Sequence, residues 1–377
     1  MKIQTTRVCT LMITHICNLN CIYCFEKFKS NNPHDKMSID TAKKILSKEI
    51  QMFEQNPAGG RLAIELFGGE PLTNFPLIEA IYNWIKSQPI KFPYIFQITT
   101  NGTLFTDKIK QWFIERKNDF RIVMSVDGTE NMQYLNRGCS LEKLGIKFVK
   151  EVWPNSYFKM TISSETLPNY ASGLISLYQA GYKIASSLAE GVTWKENDDK
   201  IYEAELNKIC NFFLENPNFE LEHPFNFLFK EYLNPRINSL PKKNCGCGTT
   251  IGMYDIDGNC YPCHLFLPIV HGNNNIKNEI NKLDFTKDEN LISEDCKRCK
   301  IVKVCKTCYG YNYIQRGDIS KRDKSMCKLR LVEAKLISTF QIKYLMQKQQ
   351  KEELNIDELL MLKAALRCYQ DIKHFTF

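Results

Sequence analysis

The sequence predicts an α/β protein built around a parallel sheet. Three observations carry that prediction. Six short β-branched runs are spaced along the first half of the chain, and the segments between them have helical periodicity. The composition over 377 residues, 44% apolar and 24% charged, is that of a globular protein. Strand and helix in alternation imply parallel pairing, because parallel neighbours need a crossover and the crossover helices cover the faces of the sheet. A chain of this length holds about two to three domains, each able to bury a core.

The runs are "CTLMIT", "RLAIELFG", "YIFQITT", "FRIVMSV", "YFKMTIS" and "KIASSL". Between them lie helical patterns such as "SIDTAKKILSKEIQMF", with Ser38 as its N-cap, and "DKIKQWFIER". Periodicity does not separate an open sheet from a partial barrel. Near residue 220 the pattern changes to a stretch richer in Pro and Asn, followed by a region with few long periodic segments. So little core folds poorly alone, and metal ligation supplies the missing constraint. The predicted division is 1–220, a linker at 221–240, a cysteine-rich domain at 241–330 and a helical segment at 331–377. The tract "KEELNIDELLMLKAALRCYQ" within that last segment reads as amphipathic helix.

The net charge of +8 is spread without a long basic block or a basic-aromatic stripe. That pattern suits a solvated surface and an acidic peptide better than nucleic acid. No apolar run is long enough to cross a bilayer and the N-terminus has no signal-peptide pattern, so the expected location is the cytoplasm, away from membranes. In a reducing cytosol, sixteen cysteines point to metal or iron-sulfur ligation rather than disulfides. Cys9, Cys139, Cys210 and Cys368 stand alone and read as small buried apolar residues.

Cys17, Cys21 and Cys24 crowd into "CNLNCIYC", directly after the first strand, at the end where parallel α/β folds place their active sites. Three thiolates can hold three irons of a cubane cluster and leave the fourth open, the mark of a catalytic site. A zinc site completed by His15 or His34 is the bland alternative. After the second strand comes "FGGEP" with Gly68, Gly69 and Glu70. "TTNGT" follows the third strand. After the fourth comes "SVDGTENMQYLNR" with Ser125, Asp127 and Arg137. Taken singly, each of these is an ordinary turn or a surface charge.

Cys-x3-Cys-x2-Cys with Tyr23 before the last cysteine, and the other motifs at strand ends in this order, resemble the radical S-adenosylmethionine enzymes that modify peptides and proteins. The resemblance implies a partial (β/α)6 TIM barrel of the radical SAM type with a C-terminal cysteine-rich SPASM domain and terminal helices. It implies a 4Fe-4S cluster on Cys17, Cys21 and Cys24. It also implies S-adenosyl-L-methionine bound with the help of Tyr23, Gly68, Gly69, Glu70, Ser125, Asp127 and Arg137. Reductive cleavage of the sulfonium then yields a 5′-deoxyadenosyl radical that takes a hydrogen atom from an unactivated carbon.

The second cysteine group taken alone suits a zinc ribbon. Behind a radical SAM core it resembles a SPASM extension with two auxiliary 4Fe-4S clusters. Carried over, one takes Cys263, Cys308 and two ligands near Cys245 and Cys247, with Cys260 spare. The other takes Cys296, Cys299, Cys305 and Cys327. Two residues separate Cys305 from Cys308, where the family usually has three. The layout is similar to the anaerobic sulfatase-maturing enzymes, which carry an acidic proton acceptor immediately after the "YPC" cysteine; here that position is His264, a candidate base.

The leading expectation is therefore a maturase that installs a thioether, carbon-carbon or related crosslink in a ribosomally made precursor peptide, with or without a leader. The auxiliary clusters would accept the second electron or bind a substrate thiolate. A low-potential donor such as flavodoxin or ferredoxin would supply electrons. Because the first strand begins within ten residues of Met1, leader recognition is expected to use the SPASM surface, the terminal helices or another protein. Formylglycine formation on a sulfatase is the runner-up, and a non-catalytic metal-binding interaction module is the alternative of another class.

Overall fold

The computed structural model describes residues 6–26, 32, 34–55, 60–233, 243, 245–273 and 276–377. In chain order its regular elements begin with β1 (Arg7–Thr14), α1 (Ile39–Gln55), β2 (Leu62–Gly68), α2 (Phe75–Lys86), β3 (Tyr94–Thr100), α3 (Asp107–Glu115) and β4 (Phe120–Ser125). Next come α4 (Glu130–Arg137), α5 (Ile146–Val152), β5 (Phe158–Ile162), α6 (Tyr170–Gln179), β6 (Ile184–Leu188) and α7 (Asp198–Glu215). The remainder holds β7 (Ile251–Tyr254), β8 (Cys260–Tyr261), α8 (Pro268–His271), α9 (Ile276–Ile280), α10 (Glu294–Lys297), α11 (Tyr309–Arg316), α12 (Cys327–Gln349) and α13 (Ile356–Ile372). All six predicted strands form. Of the predicted linker, residues 234–240 lie outside the described residues.

The chain divides into two compact units. The first comprises Met1–Ser125, Gly138–Ser156 and Cys245–Thr286, and the second Val126–Arg137, Tyr157–Asn244 and Lys287–Phe377. In the first unit the strand order is β4-β3-β2-β1-β7-β8. Every pair is parallel except β7 with β8. Leu11 lies opposite Leu66 on one side and Tyr254 on the other. Residues Cys9 to Thr14 of β1 are all buried, as expected of a parallel strand covered on both faces. Beneath β3 and β4 the fully buried Phe96 stacks on Phe120 at 5.0 Å. Phe113 and Trp112 of α3 meet Phe120 edge-on.

Helix α1 opens where Ser38 Oγ accepts the Thr41 N–H at 3.0 Å, an N-cap. Its buried face carries Ala42, Ile45, Leu46 and, unexpectedly, Glu49. The Glu49 carboxylate accepts Arg7 Nε at 3.0 Å and Arg7 Nη2 at 2.7 Å, and also the Tyr254 hydroxyl. Arg7 opens β1 and Tyr254 closes β7, so this one carboxylate fastens the helix to both strands. Burial, with Glu49 adding to it, pushes the Tyr254 phenol well above its ordinary pKa.

In the second unit β5 and β6 pair in parallel. Its core centres on Phe213 of α7, whose ring lies 5.0 Å from Tyr178 of α6 and 4.9 Å from Phe225. α12 packs on α7 and α13. A reciprocal capping box of Asn355 and Glu358 opens α13. Among the described residues no helix is long and apolar enough to cross a membrane.

Replacing Glu49 by Ala strands the Arg7 guanidinium and the buried Tyr254 hydroxyl, and the expected loss is about 2 to 3 kcal/mol. A lowered urea midpoint with unchanged slope is the expected reading.

Candidate active site and cysteine pockets

β1 and β2 end side by side, and the chemistry-bearing loops begin there. The Gly69 N–H donates to Thr14 O at 3.1 Å and the Glu70 N–H to Ile16 O at 2.9 Å. A Cβ on Gly69 would sit 2.6 Å from Ile16 O and 2.9 Å from Cys17 Cβ; one on Gly68 would sit 2.6 Å from Thr14 O. The two glycines thus let the end of β2 close onto the root of the cysteine loop. In that loop the Cys24 N–H donates to Cys21 O at 3.1 Å, so the two-residue spacing is a tight turn with a cysteine at each end. Cys17 Sγ accepts the Leu19 N–H at 3.5 Å. All three cysteines are half-buried, as is Tyr23.

Glu70 is 1% exposed. Its carboxylate accepts the Leu72 N–H at 3.1 Å, the Thr100 hydroxyl at 2.7 Å and the Asn101 N–H at 2.7 Å. It therefore ties the end of β2 to the end of β3. Asn101 donates from Nδ2 to Asn18 Oδ1 at 2.9 Å and accepts the Thr103 hydroxyl at 2.7 Å. Asn18 Nδ2 donates back to Thr103 Oγ1 at 2.7 Å. This ring of Asn18, Asn101 and Thr103 anchors the cysteine loop to the "TTNGT" turn. Sequence reasoning missed Asn18, whose only signal was its place between two cysteines.

The first unit also brings His264 to this end of the sheet. Its imidazole lies 4.6 Å from the ring of Phe25, the residue after Cys24, and 5.5 Å from the ring of Phe67, the residue before Gly68. Both aromatic partners went unread in the sequence. Cys247 and Cys263 are buried, and their segments are joined by Gly248 N–H to Pro262 O at 3.0 Å. Cys245 and Cys260 are exposed. Cys260 lies opposite Tyr254 in the hairpin, and burial raises its thiol pKa while the Tyr254 hydroxyl lowers it. Ser125 ends β4 at 9% exposure.

In the second unit Asp127 is fully buried. It accepts Arg137 Nε at 2.9 Å, Asn136 Nδ2 at 3.2 Å and the Thr161 N–H at 2.9 Å. Gly128, at φ +90°, makes the turn, and a Cβ there would meet Met132 Sδ at 2.7 Å. Asp127 thus orients Arg137 and ties this turn to β5 near its end. Cys308 immediately precedes α11 and is half-buried.

Cys296, Cys299, Cys305 and Cys327 line one cavity together with Lys306, Arg322, Arg330 and Glu190. Burial raises the thiol of Cys305, against the pull of Arg322 and Arg330. Cys327 is pushed up to about 11 by burial, with Cys305 adding to the rise. Lys306 Nζ donates to His223 Nε2 at 2.7 Å, while His223 Nδ1 donates to Ser186 O at 2.9 Å. Burial holds Lys306 down at about 8. The Nε–H groups of Arg322 and Arg330 are buried and without a hydrogen-bond partner. Among the described residues no three His, Cys, Asp or Glu side chains converge as a single-ion site. Four thiols and two orphaned donors around one cavity fit an anionic cluster with sulfur acceptors.

Residues 11–166 match the family described as the Radical SAM superfamily. The chain is 24% identical over 343 residues to the radical SAM cyclopropyl synthase TigE of Paramaledivibacter caminithermalis, covering 85% of this chain and 71% of that one. It is 25% identical over 321 residues to a cysteine-type anaerobic sulfatase-maturating enzyme of Clostridium perfringens, covering 77% and 85%. Among solved structures, anSMEcpe with bound AdoMet and the Cp18Cys peptide superposes at TM-score 0.65 with 18% identity, over 92% of this chain and 99% of that one. Streptococcus suis SuiB bound to precursor peptide SuiA superposes at 0.52 with 16% identity, over 85% and 76%. These likenesses show a shared fold, a mostly parallel, open α/β sheet with C-terminal helices.

Gly69→Ala drives a methyl into the root of the cysteine loop. The expected outcome is a folded protein that, after anaerobic reconstitution, holds one cluster's worth less iron than the parent by chemical assay.

Proposed function

We propose, from the premise that this chain belongs to the radical SAM superfamily, that it is an enzyme maturing a ribosomally made peptide by installing a crosslink. Its cofactors are a 4Fe-4S cluster and S-adenosylmethionine. Cys17, Cys21 and Cys24 would hold the cluster, while Tyr23, Gly68, Gly69, Glu70, Ser125, Asp127 and Arg137 would form or support the cosubstrate site. When bound, this pair supplies reductive cleavage of the sulfonium and abstraction of a hydrogen atom from an unactivated carbon.

The chain's own residues do the rest. The buried Glu70 carboxylate holds the ends of β2 and β3 together, and the fork of Arg137 is oriented by Asp127. Arg in that setting suits a carboxylate, to which it can donate two parallel hydrogen bonds. His264 accepts, at an imidazole nitrogen, the proton that the attacking substrate group loses as the new bond forms. Crosslinking removes two electrons from the peptide: one leaves with the hydrogen atom, and the second needs an acceptor near the cysteine-rich segments. An auxiliary cluster on Cys296, Cys299, Cys305 and Cys327, and another on Cys263, Cys308, Cys245 and Cys247, would provide it.

The observation that carries this reading is His264 packed against Phe25, beside Cys24, where the sulfatase-maturing layout has a carboxylate. The likenesses to SuiB, solved with precursor peptide SuiA, and to anSMEcpe, solved with the Cp18Cys peptide, support a peptide substrate. Sulfatase maturation is the second reading, favoured by relatedness that covers 85% of such an enzyme.

Anaerobic incubation with S-adenosylmethionine, dithionite and either a candidate precursor or a cysteine-type sulfatase peptide separates the two by intact mass. The expected result is loss of two hydrogens from the precursor, with 5′-deoxyadenosine formed. Formylglycine on the sulfatase peptide alone decides for the second reading. Cys17→Ala, Cys21→Ala and Cys24→Ala should each abolish 5′-deoxyadenosine. His264→Gln should keep it while lowering crosslinked product by about a hundredfold.

A further inference from the structure

The cavity lined by Cys296, Cys299, Cys305 and Cys327 has a charge in its wall that nothing else in the unit explains. Arg322 is 8% exposed. Its Nη1 donates to the carbonyl of Cys305 at 2.8 Å, and its Nε–H is buried without a partner. Among the described residues it forms no ion pair with a carboxylate. Arg330, on the same wall, differs, because its Nη2 donates to Glu190 at 2.7 Å and its Nη1 approaches Glu333 at 3.4 Å. Asp323 has Arg316 at 3.8 Å. Lys306 is turned to His223. Among the described residues neither Arg322 nor Lys306 of this wall has a carboxylate in ion-pair range, but Lys306 is hydrogen-bonded to His223 while Arg322 keeps an orphaned N–H, and a buried, uncompensated guanidinium is costly unless something negative stands beside it.

We propose that Arg322 is a positioning residue for the redox group of this pocket: its charge and its orphaned N–H face the sulfurs of a cluster held by the four cysteines and keep that cluster easier to reduce than the same ligands alone would make it. The inference rests on the reading that these four cysteines hold a 4Fe-4S cluster. The physical reason is general. Reduction adds one negative charge to the cluster, and in a poorly solvated site a neighbouring positive charge and hydrogen bonds to sulfur favour the more negative state. Glu190, which lines the same cavity, acts oppositely, since its carboxylate offsets the charge of Arg330. The consequence for function is directional: a cluster held at raised potential is fitted to take the second electron from the substrate radical left after hydrogen-atom abstraction.

The test is a redox titration of the anaerobically reconstituted full-length protein, followed by electron paramagnetic resonance. The component that disappears in Cys327→Ala is the one read. Arg322→Gln should move its midpoint to lower potential, Arg322→Lys should retain most of the parent value, and Glu190→Gln should raise it. If Arg322→Gln does not retain the cluster, Arg322→Met is read in its place, with the same shift to lower potential expected. A midpoint that stays at the parent value in the neutral Arg322 variant that holds the cluster overturns the role of Arg322 and leaves the ligand set standing. A spectrum in which Cys327→Ala removes no component overturns the ligand set, and the inference with it.

Discussion

The backbone contact between Gly68–Gly69 and Thr14–Cys17 is the constraint from which the rest of the site follows. Two strand ends approach so closely that neither glycine has room for a methyl group, and two N–H···O=C bonds stitch them there. The cysteine loop is therefore held at its root by backbone rather than by side-chain packing. That is how three half-buried thiols can be fixed in place while remaining reachable. Glu70 extends the same clamp sideways, because its carboxylate spans from β2 to β3. The ring of Asn18, Asn101 and Thr103 then returns from β3 to the cysteine loop. A site that must keep one coordination position open gains from a scaffold that holds its ligands without filling the position itself.

The later part of the chain uses a different kind of constraint. Among the described residues between 245 and 326 the longest helix has eight residues, too little regular structure to bury much apolar surface. In the first unit this segment borrows stability by adding β7 to β1, and the Glu49 carboxylate fastens that added strand to Arg7 and α1. The pairing carries "YPCH" to the chemical end of the sheet. In the second unit a largely shielded polar network of Tyr202, Glu333, Arg330 and Glu190 reaches the four-cysteine cavity through Arg330 and Glu190. Such a network adds little net stability. It holds charges at fixed places beside the four cysteines.

Much of the fold was legible in the sequence, and the reason is particular. The six strands are short apolar runs set between helical periods, three of them closed by Gly68-Gly69, Asn101-Gly102 and Asp127-Gly128, and β3 forms over the whole of "YIFQITT". β7 and β8 were not legible, because "IGMY" and "CY" are too short to have a period and owe their pairing to β1 and to the turn at Gly258. The candidate site was legible as residue types at strand ends but not as partnerships. Glu70 and Asp127 stood out as acids near a cosubstrate, yet their oxygens are largely engaged by the protein's own donors. Asn18, Phe25 and Phe67 had no signal beyond adjacency to a motif. Nothing in spacing alone distinguishes Arg322 from any other basic residue in a lysine-rich segment; only its burial without a carboxylate does.

In the proposed site Cys17, Cys21 and Cys24 leave one iron of their cluster open for the amino acid end of S-adenosylmethionine. The direct measurement is electron paramagnetic resonance of the reduced N-terminal cluster, recorded with and without the cosubstrate and with ⁵⁷Fe or isotopically labelled methionine nitrogen to resolve the coupling. A changed g tensor and a hyperfine coupling from the bound amino nitrogen are expected. Spectra identical in the two conditions, from a cluster that contains its full complement of iron, would contradict an open iron.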